Sequence, residues 1–155
     1  VIQVAQRLIK QFSTEQLREN FRDRNRNPAD TAFHIFRVAQ MGVEAANQTE
    51  LKFESFNELA PKTWSAEDLA AWGGKVREQV MDWWRNEPQR DLQYLVPTYY
   101  GKRTMHDVLE RTTWHAAQHT RQITLMLETY GVVPDRPLSA EDLRGLPVPD
   151  EVWDR

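Results

Sequence analysis

The chain has 155 residues, 40% of them hydrophobic and 28% charged, with six Trp, six Phe, four Tyr and no Cys. That length and aromatic content suit one globular domain, taken here as residues 1–155, and exclude a disordered tail. The formal net charge of −3 argues against a nucleic-acid partner, and the lack of cysteine excludes disulfides, thiolate metal sites and a cysteine nucleophile.

No apolar run approaches the ~20 residues of a membrane span, and no signal peptide opens the sequence, so the expected location is the cytoplasm. The sequence starts at Val1 without an initiator Met, which leaves room for a short missing N-terminal piece.

Helical periodicity dominates from the start, and neither strand alternation nor a hairpin signal competes with it. Val1, Val4, Ala5, Leu8 and Ile9 recur at helical spacing up to Phe12, and Ser13 to Gln16 reads as a capping box for a short turn. Arg18, Arg22, Arg24 and Arg26 then form a basic run in "LRENFRDRNRN". It is read as a solvated loop, with a patch that greets an anionic substrate as the alternative.

A second helix is expected from about Asn27, with Pro28 at its first position, to about Asn47. Beyond Phe53 and Phe56, Pro61 breaks the chain and "SAED" offers Ser65 as N-cap with Asp68 at N3. The third helix carries Leu69, Trp72, Val76, Val80 and Trp83 on one stripe and ends before Pro88. Gly73 and Gly74 inside it each cost about 1 kcal/mol relative to Ala and suggest a close helix crossing. The link "VPTYYGKR" leads to Thr104, the expected cap of a long fourth helix that stops at Gly131. A second "SAED" at Ser139 caps a short turn, and the Pro-rich end "LRGLPVPDEVWD" is expected to lie across the helices with Trp153 as anchor. Four principal helices make an all-α four-helix bundle, up-and-down or crossover.

The fourth helix contains "WHAAQHTRQ". At 100° per residue His115 and His119 lie about 40° apart, close enough to converge on one ion. Val108, Arg111, Gln122 and Met126 share their stripe, which holds more polarity than a core face tolerates without partners. His106 precedes His115 by nine residues and so points to the opposite side; it is expected on the surface. His34, between Phe33 and Ile35 in the second helix, is by itself most simply a hydrogen-bonded core residue. Beside an i, i+4 pair on another helix it becomes the third member of a three-imidazole set with one open position, a familiar catalytic coordination. Spacing alone leaves both readings open. The metalloprotease pattern H-E-x-x-H is absent, because Ala116 stands where its Glu would be.

"TMHDVLERTTWHAAQHTRQI", with "TAFHIFRVA" before it and "DLRGLPVPDEVW" after it, resembles the DinB/YfiT-like superfamily of metalloenzymes over about Ala29 to Trp153. The resemblance implies a four-helix bundle with its three metal ligands at His34, His115 and His119. It also implies a homodimer; three imidazoles accept zinc, nickel, iron or copper, and zinc is the first choice for the divalent ion, with nickel or iron next. Relatives in this superfamily include S-transferases that use bacillithiol, mycothiol or glutathione and a mycothiol-dependent maleylpyruvate isomerase. Sulfoxide synthases of ergothioneine-type pathways carry a His-x3-His-x-Glu iron version. Here Arg121 takes the Glu position and no partner catalytic domain is read, so iron-dependent oxygen chemistry is not expected.

The function expected from these residues is transfer of a low-molecular-weight thiol, held as a metal-bound thiolate, to an electrophilic small molecule. The sulfur must come from a co-substrate because the chain has no Cys. Arg111 is the candidate for binding a substrate carboxylate, with a salt bridge as its structural alternative, and Gln122 for fixing the tautomer of a ligand imidazole. Arg121 points off the metal stripe and is assigned to a helix or tail contact, while Tyr99 and Tyr100 are candidates for a pocket edge. Two alternatives stand beside thiol transfer: a metal-dependent hydrolase with Asp30 as nominated base, and a non-enzymatic, metal-stabilised binding or stress protein.

Overall fold

The computed structural model describes residues 1–22, 24 and 26–153. Helices α1 (Ile2–Ile9), α3 (Pro28–Ala46), α5 (Ala66–Asn86) and α6 (Met105–Thr129) form the bundle. The short helices α2 (Thr14–Arg18), α4 (Phe53–Phe56) and α7 (Ala140–Leu143) lie in the connections, and β1 (Leu95–Thr98) pairs with β2 (Gly101–Thr104).

Side-chain caps set the helix starts. Asn27 accepts the Asp30 amide, Ser65 the Asp68 amide and Thr104 the Asp107 amide, each satisfying a backbone donor that the first turn leaves without a partner. Ser13, Ser65 and Ser139 all complete capping boxes, so the two "SAED" stretches share a local device. α6 ends at Thr129 with Tyr130 as its C-cap, and Gly131 follows with φ of 75°, the left-handed geometry that glycine adopts without a Cβ penalty.

Around the bundle the order is α1, α5, α3, α6, with α3 against α6 the most extensive contact. A Cβ on Gly73 would stand 2.6 Å from the Phe36 ring, so this glycine permits the close α3–α5 crossing that its position in the sequence suggested. Phe33 stacks on Trp72 and Gln40 bonds Gln79, so α3 and α5 run parallel. Residues 47–65 must therefore travel back along the bundle, which makes the topology a crossover. Three long-range contacts pin that segment: Asp30 accepts the Ala60 amide at 3.0 Å, Arg37 pairs with Glu58, and Arg18 donates to the Pro61 and Trp64 carbonyls.

The β hairpin is a correction to the sequence reading, which saw only a link. Its register pairs Leu95 with Thr104 and Thr98 with Gly101 around a Tyr99-Tyr100 turn. Pro97 lowers the strand signal, and Tyr-Tyr lacks the Asn-Gly type signature of tight turns. A two-stranded ribbon tolerates Pro97 because each strand is an edge. The hairpin caps a satellite core of Met41, Leu51, Leu92, Val96, Met105 and Val108, while the main core gathers Leu8, Ile9, Phe36, Leu69, Ile123 and Leu127. No helix among the described residues is long and apolar enough to cross a membrane.

Candidate metal centre

His34 sits on α3 with its side chain turned into the bundle, 1% exposed, while His115 and His119 project one turn apart from α6. The antiparallel run of α3 against α6 brings them together. Gly42 lies against Thr112 while His34 lies against His119, so residue numbers rise on one helix as they fall on the other.

The Nε2 atoms of His34 and His115 are 3.0 Å apart, and those of His115 and His119 are 3.1 Å apart. The rings meet edge to face, with centroids 4.7 to 5.2 Å from one another, so nitrogens rather than ring faces point at a common centre. Metal–nitrogen bonds of about 2.0–2.1 Å and ligand angles of roughly 90–109° would set the nitrogens about 2.9–3.3 Å apart. The observed spacings fall in that range. Among the described residues these three form the one His, Cys, Asp or Glu group able to hold a metal ion.

Burial is the main reason that His34 is lowered to about 2, with the Arg26 charge and the other two imidazoles adding to it. His115 is lowered to about 3 by burial first, then by His119, Arg111 and Arg26. Both rings are therefore neutral at pH 7, the form that offers a lone pair to a cation.

The outer nitrogens carry the second test of fit. His119 Nδ1 lies 2.6 Å from Gln122 Oε1, a contact in which the ring N–H donates to the amide oxygen and leaves Nε2 bare. His34 Nδ1 is buried without a hydrogen bond, and the nearby Phe56 backbone raises the ring's pKa without offsetting its burial. Phe56 also sets its ring 4.7 Å from His34 and 5.2 Å from His115, closing one side of the cluster.

Beside His115 lies a pocket of about 20 Å³ walled by Met41, Phe56, Tyr99, Tyr100 and Arg111, room for about one water. Tyr99 and Tyr100 thus edge a pocket, as their place before α6 suggested. The Arg111 guanidinium lies 4.9 Å from the Tyr100 ring centre, and no hydrogen bond or ion pair holds it among the described residues. A larger groove of about 260 Å³ between the start of α1 and α5, α6 contains none of the three histidines.

Other sequence nominees lie elsewhere. His106 is exposed, as expected. Arg121 holds the tail through the Pro149 and Asp150 carbonyls. Asp30 accepts the Ala60 amide through Oδ1, and no hydrogen bond joins its carboxylate to the imidazoles among the described residues. The basic run proves to be divided: Arg18 clamps the 61–64 turn, Arg24 lies 4.9 Å from the Trp153 ring, and Arg26 is half-buried with its charge felt by His34 and His115. Arg26 and Phe56 were missed as site residues. The first looked like one member of a charge run, and the second contributes position rather than reactive chemistry.

Comparison with known families returns the DinB superfamily, whose model matches residues 1–123. The match takes in His34, His115, His119 and Gln122 and ends before the C-terminal tail. No curated protein matches the chain.

Proposed function

The chain belongs to the DinB superfamily, and from that premise we propose that it is a metal-dependent enzyme transferring a low-molecular-weight thiol to an electrophilic small molecule. The observation that carries this reading is the convergence of three Nε2 atoms, two of them on rings kept neutral by burial, beside a walled pocket. His34, His115 and His119 would hold the ion, zinc first and nickel or iron next. When bound, the cation would supply Lewis acidity that lowers the pKa of a thiol or water reaching it.

The remaining tasks fall to this chain's own side chains. Gln122 holds the proton of His119 on Nδ1. Phe56 and Tyr99 shield the cluster from solvent on the pocket side. Arg111, which lies over the Tyr100 ring and makes no hydrogen bond or ion pair among the described residues, binds a carboxylate of the substrate through its planar fork. The co-substrate sulfur attacks the electrophilic carbon, an S–C bond forms as the leaving group takes its electron pair, and the thiol proton passes to solvent.

Thiol transfer is favoured over hydrolysis because the nominated base, Asp30, is engaged by the Ala60 amide. It is favoured over a purely structural ion because the cluster offers three protein ligands and leaves a position for a guest. The same reading includes a cytoplasmic location and a homodimer.

Elemental analysis of the purified protein, beside a panel of electrophiles with and without glutathione, bacillithiol or mycothiol, tests the proposal. The expected result is bound divalent metal and turnover that requires thiol. Turnover unchanged when thiol is omitted would assign hydrolysis instead, and turnover in neither arm would favour the structural ion. Arg111→Gln is expected to raise KM about tenfold for a carboxylate-bearing substrate with little change in kcat.

A further inference from the structure

The tail after α7 is stitched to α6 by its backbone. Each of the four consecutive carbonyls from Pro149 to Val152 accepts from an α6 side chain: Pro149 and Asp150 from Arg121 at 2.6 and 2.9 Å, Glu151 from Gln118 at 2.9 Å, and Val152 from Gln118 and Gln122 at 2.8 and 3.0 Å. Trp153 then stacks on buried Phe21, with ring centres 5.8 Å apart, and anchors the strap.

Gln122 connects this strap to the histidines. A backbone carbonyl can only accept, so the Val152 oxygen requires the amide nitrogen of Gln122 to face it. The amide oxygen is thereby turned to His119 Nδ1 at 2.6 Å. That oxygen can only accept as well, so the imidazole proton resides on Nδ1 and the Nε2 lone pair faces the cluster. With the strap displaced, the amide is free to turn over and present N–H to Nδ1. The proton would then move to Nε2, the atom that must be bare.

We propose that the C-terminal strap, acting through the Val152 carbonyl and Gln122, sets the tautomer of His119 and so completes the metal centre. Gln122 and the strap are positioning elements in this scheme, which rests on the reading of His34, His115 and His119 as ligands.

The full-length chain tests it with Trp153→Ala and Arg121→Ala, separately and together, each in the wild-type and Gln122→Glu backgrounds. A glutamate at 122 offers an acceptor oxygen to Nδ1 in either orientation, so it no longer depends on the strap. Two quantities are read: the ¹⁵N shifts of the His119 ring in metal-free protein, which report the tautomer, and zinc affinity by chelator competition. Releasing the strap is expected to mix the His119 tautomers and weaken zinc binding about 10–100-fold. In the Gln122→Glu background the same substitutions are expected to leave the tautomer single and the affinity within about twofold. A folded, strap-released variant that retains a single Nδ1–H tautomer and wild-type affinity overturns the proposal, as does an equal loss in the Gln122→Glu background. Should Trp153→Ala fail to fold, Arg121→Ala decides alone. Failure of the wild-type protein to bind zinc would refute the metal reading instead, while the ring tautomer in the metal-free protein still decides whether the strap controls it.

Discussion

At the end of α5, Glu87 is 9% exposed and accepts from the Tyr94 hydroxyl at 2.7 Å, Trp83 Nε1 at 3.1 Å and the Gln89 amide at 2.9 Å. Between α3 and α6, three imidazoles crowd their Nε2 atoms together instead, and His34 Nδ1 has no hydrogen bond. Both clusters bury polar groups in one small bundle. In the first, every charge-bearing oxygen is matched by a donor within the protein, so the cluster is complete and serves the fold. In the second, three Nε2 atoms face one another, and a proton on one neutral ring satisfies part of the set where a cation would satisfy all three lone pairs. Electrostatics divides them the same way. Burial pushes Glu87 up, but hydrogen bonds from Tyr94, Gln89 and Trp83 outweigh it and hold the carboxyl below its usual range. Burial and neighbouring positive charge both push His34 and His115 down. The lesson is that a buried polar cluster is a candidate site when its own atoms do not satisfy one another.

The sharpest way to break that contrast is His115→Ala. It is expected to weaken zinc binding by roughly 1,000-fold or more while costing the metal-free protein no more than about 1–3 kcal/mol, the ring's Nε2 contacts being to the other two imidazoles. Chelator competition and urea denaturation check the two halves. A stability loss larger than the affinity loss would make the cluster structural.

A pH series separates the clusters next. Above pH 6.5 the two imidazoles are neutral whether the chain is folded or not. Below it the unfolded chain takes up protons that His34 and His115 refuse in the folded protein, until pH falls to about 2 for His34 and about 3 for His115. Stability of the metal-free protein is thus expected to decline as pH falls from 6.5, by at most about 1.4 kcal/mol per pH unit for each ring. Glu87 acts only lower: its contribution is present above its ordinary pKa of 4.5 and is lost as pH drops through its depressed value. Denaturation midpoints between pH 7 and 5 should flatten in a His34→Leu, His115→Leu double variant; a slope that persists there would place the titration elsewhere.

Smallest is the reciprocal control, Glu87→Leu. Stranding the Tyr94 hydroxyl and Trp83 N–H is expected to cost about 1–3 kcal/mol of stability. Zinc affinity should stay within about twofold of wild type. A larger change in affinity would mean the two clusters are coupled through α5 and the hairpin.

Much of the bundle was legible from local chemistry. Asn27, Ser65, Thr104 and Gly131 mark helix ends where they act, because a cap bonds an amide only two or three positions away. The hairpin was not legible, because Pro97 and the Tyr99-Tyr100 turn carry weak strand signals and the pairing is stabilised by the satellite core beneath it. Arg26 illustrates a different failure. Its sequence neighbours make it look solvated, and only the packed structure shows its charge acting on His34 and His115.

The sequence by itself determined the periodicity of the four helices, their caps, and the pairing of His115 with His119, since a helix of 3.6 residues per turn places i and i+4 side by side whatever surrounds it. Tertiary structure alone decided that α3 and α5 run parallel, that the returning crossover sets Phe56 against the imidazoles, and that the Val152 carbonyl accepts from Gln122. Those contacts join groups far apart in sequence, and one of the partners, the Val152 carbonyl, belongs to the backbone that every residue shares. Its chemistry has no letter in the sequence, and packing alone selects which carbonyl reaches the site.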